Sequence, residues 1–331
     1  MAVRRRKQRR GRSYAWRYRG RIVACVFVEV LIICALVIMV GWNKGVKEWF
    51  EQFEQPVLKE VDISGINSPN AILMQARGGK VLGEINGDEK IYPASMTKIM
   101  TVILGIENFD DLDEKITLTD EMFAGLYEQD ATQAGFQPGE EVSVIDLLYG
   151  AMLPSGAECC IALADTISGS EADFAELMNK KAAKLGMDNT HFCDSTGLHN
   201  PDHYSTVKDI AVLMKYCIKN DTFREIIETA RHSTGVTNIH PDGITYYSTM
   251  FKNLSDPTVT GGKILGGKTG YTSEAGHCLV SFAEIEGREY IFVSAGASGA
   301  DGNTIPHIQD AVTVYNRVGA AIEAKMNDNN K

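Results

Sequence analysis

The sequence predicts an α/β domain in which strands from both ends of a long segment form one antiparallel sheet against a helical lobe, with one transmembrane helix ahead of it. Three observations carry that expectation. Strand-like runs occupy residues 70–87 and 277–297, helical periodicity fills much of the chain between them, and a 19-residue apolar run follows a basic N-terminus.

In chain order, residues 1–21 hold ten Arg or Lys and no acid. Beside a membrane helix such a run is a topology signal that stays on the cytoplasmic side. The apolar run, Ile22 to Val40, would span roughly 28 Å as a helix, close to a bilayer core. It is too long for a signal-peptide core and lacks a small-x-small cleavage site, so it reads as an uncleaved anchor at residues 22–40. Glu29 inside it is a single acid of the kind that a span tolerates or uses to meet a helix partner. Val46, Trp49, Phe50 and Phe53 at helical spacing make residues 41–62 a juxtamembrane stalk, broken at Pro56.

The outer domain, expected over residues 63–325, begins with "NAILMQARGGKVLGEING", two apolar runs about a Gly-Gly turn, which reads as a β-hairpin. In "YPASMTKIMTVILGIEN" the period changes to helical, with Ile99, Val102, Ile103 and Ile106 on one face and Ser95 in the first turn. Helical segments follow through "STVKDIAVLMKYCIK". "HCLVSFAEI" and "REYIFVSAGA" then read as strands about Glu-Gly, an amphipathic helix runs from about Pro306 to Ala324, and residues 326–331 form a polar tail.

At 331 residues, with 44% hydrophobic and 23% charged content, the chain can bury a substantial core. Seven cysteines are present, and five of them, Cys159, Cys160, Cys193, Cys217 and Cys278, fall beyond the anchor. Five is odd and a domain this size needs no disulfide staples, so they read as buried thiols. His199 and His203 in "HNPDH" lack a third ligand and a helical context and read as a polar loop; no metal or other cofactor is expected. The outer domain is acidic, which argues against a nucleic-acid partner.

"GGKILGGKTG" at Gly261–Gly270 has two incompatible readings. Gly262 to Thr269 fits G-x-x-x-x-G-K-[ST], a phosphate loop, whereas Lys268-Thr269-Gly270 alone is an anchor triad of serine acyl-transfer enzymes. A phosphate loop must open a helix, but here turn residues and a strand follow, and the domain faces away from cytoplasmic ATP. The acyl-transfer reading requires partners upstream, and they are present: Ser95 and Lys98 at i and i+3 opening an apolar helix, and Ser155 in "PSG" at a helix junction.

Around these residues "YPASMTKIMT", "LPSGAE", "DSTGLHNPDHYST" and "GGKTGYTSEAGHCLVSF" resemble the low-molecular-mass penicillin-binding proteins, the serine-type D-alanyl-D-alanine carboxypeptidases, over roughly residues 65–325. The resemblance implies a penicillin-binding-protein/β-lactamase-like transpeptidase fold. It also implies a peptidoglycan stem peptide ending in D-Ala-D-Ala as substrate, β-lactams as covalent inhibitors, and a bacterial membrane protein whose catalytic domain lies outside. Ser95, Lys98 and Ser155 would be catalytic, Lys268, Thr269 and Gly270 would bind substrate, and the backbone N–H groups of Ser95 and Tyr271 would form the oxyanion hole. For Lys98 to act as the base its ammonium must be weakened, by burial and by the like charge of Lys268.

One position departs from the family pattern. The second motif is usually Ser-x-Asn, and here Ser155 is followed by Gly156 and Ala157, with Glu158 or an Asn elsewhere left to compensate. The departure keeps a catalytically weak penicillin-binding module in view as an alternative to an enzyme. A β-lactamase would need a carboxylate to activate water; Glu176 in "ELMN" is the superficial candidate but reads as a solvated helix face. Cys159 and Cys160, without a paired His, read as packing residues.

Overall fold

The computed structural model describes residues 58–254, 256–299 and 305–329. The basic head, the apolar segment with Glu29, and the aromatic stalk residues up to Pro56 lie outside them. Among the described residues no helix is long and apolar enough to cross a membrane.

β1 (Asn70–Gln75) and β2 (Val81–Ile85) form the expected hairpin, and β1 then pairs with β10 (Arg288–Ala297), which joins the beginning and end of the domain in one sheet. The sheet has six strands in the order β2-β1-β10-β9-β8-β7, all antiparallel, with β7 at Thr258–Val259, β8 at Gly262–Thr272 and β9 at Gly276–Ile285. Two short ribbons stand apart, β3 (Lys115–Thr117) with β4 (Glu141–Ser143) and β5 (Arg231–Ser233) with β6 (Thr245–Tyr247).

Period-two alternation along these strands feeds two separate cores. Ile72 and Met74 of β1 and Ile291 and Val293 of β10 face the helical lobe, whereas Ala71, Leu73, Tyr290 and Phe292 face the other way. Burial on both faces explains why these strands read as continuous apolar runs.

The helical lobe comprises α1 (Lys98–Asn108), α2 (Val144–Met152), α3 (Ala157–Ser168), α4 (Glu171–Leu185), α5 (Val207–Cys217) and α6 (Asp221–Glu228). Ser143, Ser170, Thr206 and Asn220 cap α2, α4, α5 and α6, their side chains accepting a backbone N–H of the first turn.

The second core is closed by α7 (Pro306–Asn329), whose Ile308, Ala311, Val314, Tyr315 and Val318 pack onto Leu279, Ile285 and Phe292. The sheet is therefore the middle of three layers. The helix continues past residue 325 through much of the segment expected as a polar tail. The stalk boundary expected at residue 62 also moves, because Leu58 and Val61 are buried in the second core beside Ile63.

One consequence of the topology sets up the site. β7 pairs only with Gly262 and Lys263, so the outer edge of β8 beyond them has no strand partner among the described residues. The turn that carries Ser95 packs on β8 and β9 beside that edge.

Candidate active site

Ser95 lies in a 3-10 turn, Ala94–Thr97, that runs directly into α1. The i, i+3 spacing turns Lys98 back toward it, and Lys98 Nζ donates to Ser95 Oγ at 3.1 Å and to the Thr196 carbonyl at 2.7 Å. Ala94 has φ of 47°, a left-handed conformation that is uncommon for an alanine. It is held there by its neighbours: a Cβ on Gly197, itself at φ 82°, would lie 1.9 Å from the Ala94 carbonyl oxygen. The 194–197 loop thus seats directly on the nucleophile turn.

That loop is fixed by a chain of hydrogen bonds. Asp194 Oδ1 accepts from the Thr196 amide, the Thr196 hydroxyl and the Gly197 amide at 2.8, 2.8 and 2.6 Å. Its Oδ2 lies 3.1 Å from His203 Nδ1, and His203 Nε2 lies 2.9 Å from Thr97 Oγ1, back in the Ser95 turn. Burial alone would raise the Asp194 pKa, but His203 and the N–H donors outweigh it and hold it at about 2. Glu171 Oε1 accepts from both the amide and the hydroxyl of Ser195, and Thr101 donates to the Ser195 carbonyl. His203, expected in a polar loop, is buried at 2% exposure and links the two loops. His199 rests edge-on against Tyr92, and no group of three metal-ligating side chains occurs among the described residues.

Lys268, Thr269 and Gly270 lie in the middle of β8. The whole stretch Gly262–Thr272 is one strand, which removes the phosphate-loop reading. Gly270 is required by proximity: a Cβ there would stand 2.9 Å from the Ser95 amide nitrogen and 3.2 Å from the Pro93 carbonyl. β8 at Gly270 therefore packs directly on the Ser95 amide. Tyr271 itself is 59% exposed.

Lys268 is 1% exposed and donates to the Thr269 carbonyl at 2.9 Å, so its ammonium lies beneath the cleft surface. The hydroxyls of Thr269 and Thr249, 2.6 Å apart, are the partly exposed groups above it. Burial lowers both lysines. For Lys98, burial is the first cause and lowers it, while Cys160, Asp194 and, if ionised, Glu158 act in the opposite direction. Lys268 is driven well below the ordinary lysine range by burial first and by the like charge of Lys98 second, and since that repulsion is mutual it weakens the pair.

Ser155 lies in the turn between α2 and α3. Its φ is 75°, a left-handed conformation costly for a serine, and its buried Oγ has no protein hydrogen-bond partner. The structure therefore brings together Ser95, Lys98 and Gly270, and the Ser155 turn joins two helices that both pack on α1. Glu176 is not among them: it is 70% exposed and pairs with Lys180 one helical turn away. Cys159 and Cys160 are fully buried, and burial pushes Cys159 up and Cys160 to about 12, so neither is a nucleophile. All five described cysteines are free; four are buried as expected, but Cys193 is partly exposed.

Sequence reasoning missed Thr249, Asp194, Glu171 and the linking role of His203. The Asp-Ser-Thr-Gly run was a signal of a tight acidic turn, but its partner His203 becomes apparent only in three dimensions.

Comparison with known proteins agrees with this geometry. The family model described as Peptidase_S11, D-alanyl-D-alanine carboxypeptidase, matches residues 57–299. The D-alanyl-D-alanine carboxypeptidase DacF of Bacillus subtilis is 36% identical over 231 residues, covering 69% of this chain and 57% of the relative, so the chain spans little more than half of that protein. The D-alanyl-D-alanine carboxypeptidase of Streptomyces sp. strain K15 is 34% identical over 71% of this chain and 81% of its own. The crystal structure of the Streptomyces K15 DD-transpeptidase superimposes with a TM-score of 0.69 at 30% identity, over 79% of this chain and all of that one. By its matched residues and by these relatives, the chain belongs to the D-alanyl-D-alanine carboxypeptidase family, Peptidase_S11.

Proposed function

We propose that this protein is a membrane-anchored serine D-alanyl-D-alanine carboxypeptidase that trims peptidoglycan stem peptides through an acyl-enzyme on Ser95, and that β-lactams acylate the same hydroxyl. The observation that carries the reading is the buried Lys98, 3.1 Å from Ser95 Oγ and weakened by burial toward the neutral form a base requires.

Lys98 Nζ takes the Ser95 proton while Oγ bonds to the carbonyl carbon of the penultimate D-Ala. Charge developing on the carbonyl oxygen is met by the amides of Ser95 and Tyr271, a reading supported by the close packing of Gly270 on the Ser95 amide. The C–N bond then breaks, its electron pair leaves on the terminal D-Ala nitrogen, and Ser155 relays a proton to that nitrogen. Water adds to the ester, the Oγ–C bond breaks, and Ser95 recovers its proton.

The unpaired edge of β8 offers backbone groups to an extended peptide, in the manner of an added strand. At its end the Thr249–Thr269 hydroxyl pair takes the terminal carboxylate. The carboxylate supplies the counter-charge that burial withholds from Lys268, returning it to the ammonium form. The apolar segment at residues 22–40 holds the protein in the membrane with residues 1–21 inside and this domain outside.

The test is intact-mass analysis of the full chain in detergent after exposure to benzylpenicillin, followed by peptide mapping. The account expects one adduct, on Ser95; an adduct elsewhere, or none on folded protein, contradicts it.

A further inference from the structure

Glu158 follows the position where the family's amide is replaced by Ala157, and it is fully buried. Its Oε1 accepts from the amides of Ala134 and Gly135 at 2.6 and 2.9 Å. The same segment accepts the Ala157 amide at the Thr132 carbonyl, 2.8 Å, and a Cβ on Gly156 would lie 2.7 Å from Ala134 Cβ and 3.0 Å from Glu158 Oε2. The carboxyl is thus the clamp between residues 132–135 and the Ser155 turn. Its second oxygen, Oε2, is buried and has no protein hydrogen-bond partner. An ionised carboxylate would leave a charged oxygen there unmatched, whereas a neutral acid leaves only an uncharged O–H without an acceptor, at lower cost, and keeps Oε1 as the acceptor of both amides.

We infer that Glu158 is a positioning residue held as the neutral acid, which clamps the Ser155 turn in place of the missing amide and withholds from Lys98 the counter-charge that would lock it as an ammonium. The inference rests on the acyl-enzyme reading above. Burial does raise the Glu158 carboxyl, against the opposing pull of the backbone N–H groups of residues 134–136. The ionisable groups that feel Glu158 are Lys98 on α1, the Cys159 thiol beside it, Cys160, and Tyr246 on β6. Of these only Lys98 is a cation, and an ionised Glu158 would raise it. A rise in pH that ionised Glu158 would then make Lys98 harder to deprotonate and move acylation to higher pH.

Acylation rates with a fluorescent penicillin, measured from pH 5 to 10 on the full chain in detergent, separate the possibilities, with Ser95→Ala as the blank. Glu158→Gln keeps the acceptor and the neutrality. It should acylate within about threefold of the parent, with the Lys98-dependent rise at the same pH. Glu158→Ala loses the clamp and should acylate at least about tenfold more slowly. A Glu158→Gln profile displaced to lower pH by about one unit overturns the inference, because it shows that the parent carried an anion there. A folded Glu158→Gln that acylates more than tenfold slower overturns it as well, and so does a Glu158→Ala protein with the parent's rate. If Glu158→Ala does not fold, the comparison of Glu158→Gln with the parent decides alone. A folded parent that never labels overturns the acyl-enzyme reading and this inference with it; a parent that labels on Ser95 leaves that reading standing whatever Glu158 does.

Discussion

The two walls of the cleft differ in how completely their polar groups are paired. On the wall behind Lys98, every polar group of the Thr97–His203–Asp194–Thr196 chain has a partner, and Asp194 alone accepts three N–H or O–H donors on one oxygen. On the Ser155 wall, Ser155 Oγ, Glu158 Oε2 and, behind them, Tyr246 OH are buried without a protein partner, and Ser155 sits in a left-handed conformation. The first wall is completed by folding, and the second holds strain and unspent hydrogen-bonding capacity of the kind the proposed reaction would use.

Mutations should therefore separate activity from stability according to the wall they touch. The largest effect is expected for Ser155→Gly, which removes the relay hydroxyl and relieves a backbone conformation natural to glycine. D-Ala release should fall by about 10² to 10⁴, while chemical denaturation shows stability unchanged or raised by about 0.5–1 kcal/mol. Equal losses of activity and stability would show that the Ser155 wall is scaffold after all.

Next, Gly270→Ala forces a methyl toward the Ser95 amide, a backbone atom that cannot swing away. Acylation should slow by about 10²-fold, with a much smaller change in melting temperature.

Asp194→Asn tests the opposite wall. Its folded pKa of about 2 lies below the unfolded carboxylate value of about 3.9, so its contribution is fully present above pH 4 and is lost as pH falls through 2. The variant should lose on the order of 2–3 kcal/mol at pH 7, and the gap from the parent should close toward pH 2 in urea titrations. A gap independent of pH would mean that Asp194 carries no such linkage.

The smallest effect is on the thiols. Native protein treated with N-ethylmaleimide should keep its activity, because Cys159 and Cys160 beside the site are buried and protonated. Inactivation by this reagent with an adduct at Cys160 would contradict the packing assignment.

The difference between the walls also explains what the sequence could show. The Ser95–Lys98 pair was legible because a helix fixes i, i+3 geometry locally, and Lys268–Gly270 because a strand followed rather than a helix. The sheet made from both chain ends was legible from its apolar runs. His203 was not, since its partners Thr97 and Asp194 come from different loops and "HNPDH" carries only polarity. The depth of both lysines was hidden too, because burial, the first cause that weakens each, is set by elements far apart in the chain. Nor could the sequence indicate that α7 covers the sheet's second face, since amphipathicity says that a helix packs but not against what.

The central claim is that a lysine-activated Ser95 releases D-alanine, and the most direct measurement is D-alanine release from a stem-peptide mimic ending in D-Ala-D-Ala, by the full chain in detergent beside Ser95→Ala. The account predicts release by the parent and none by the folded variant. Equal release by both, or none by a parent that penicillin does acylate, would contradict it.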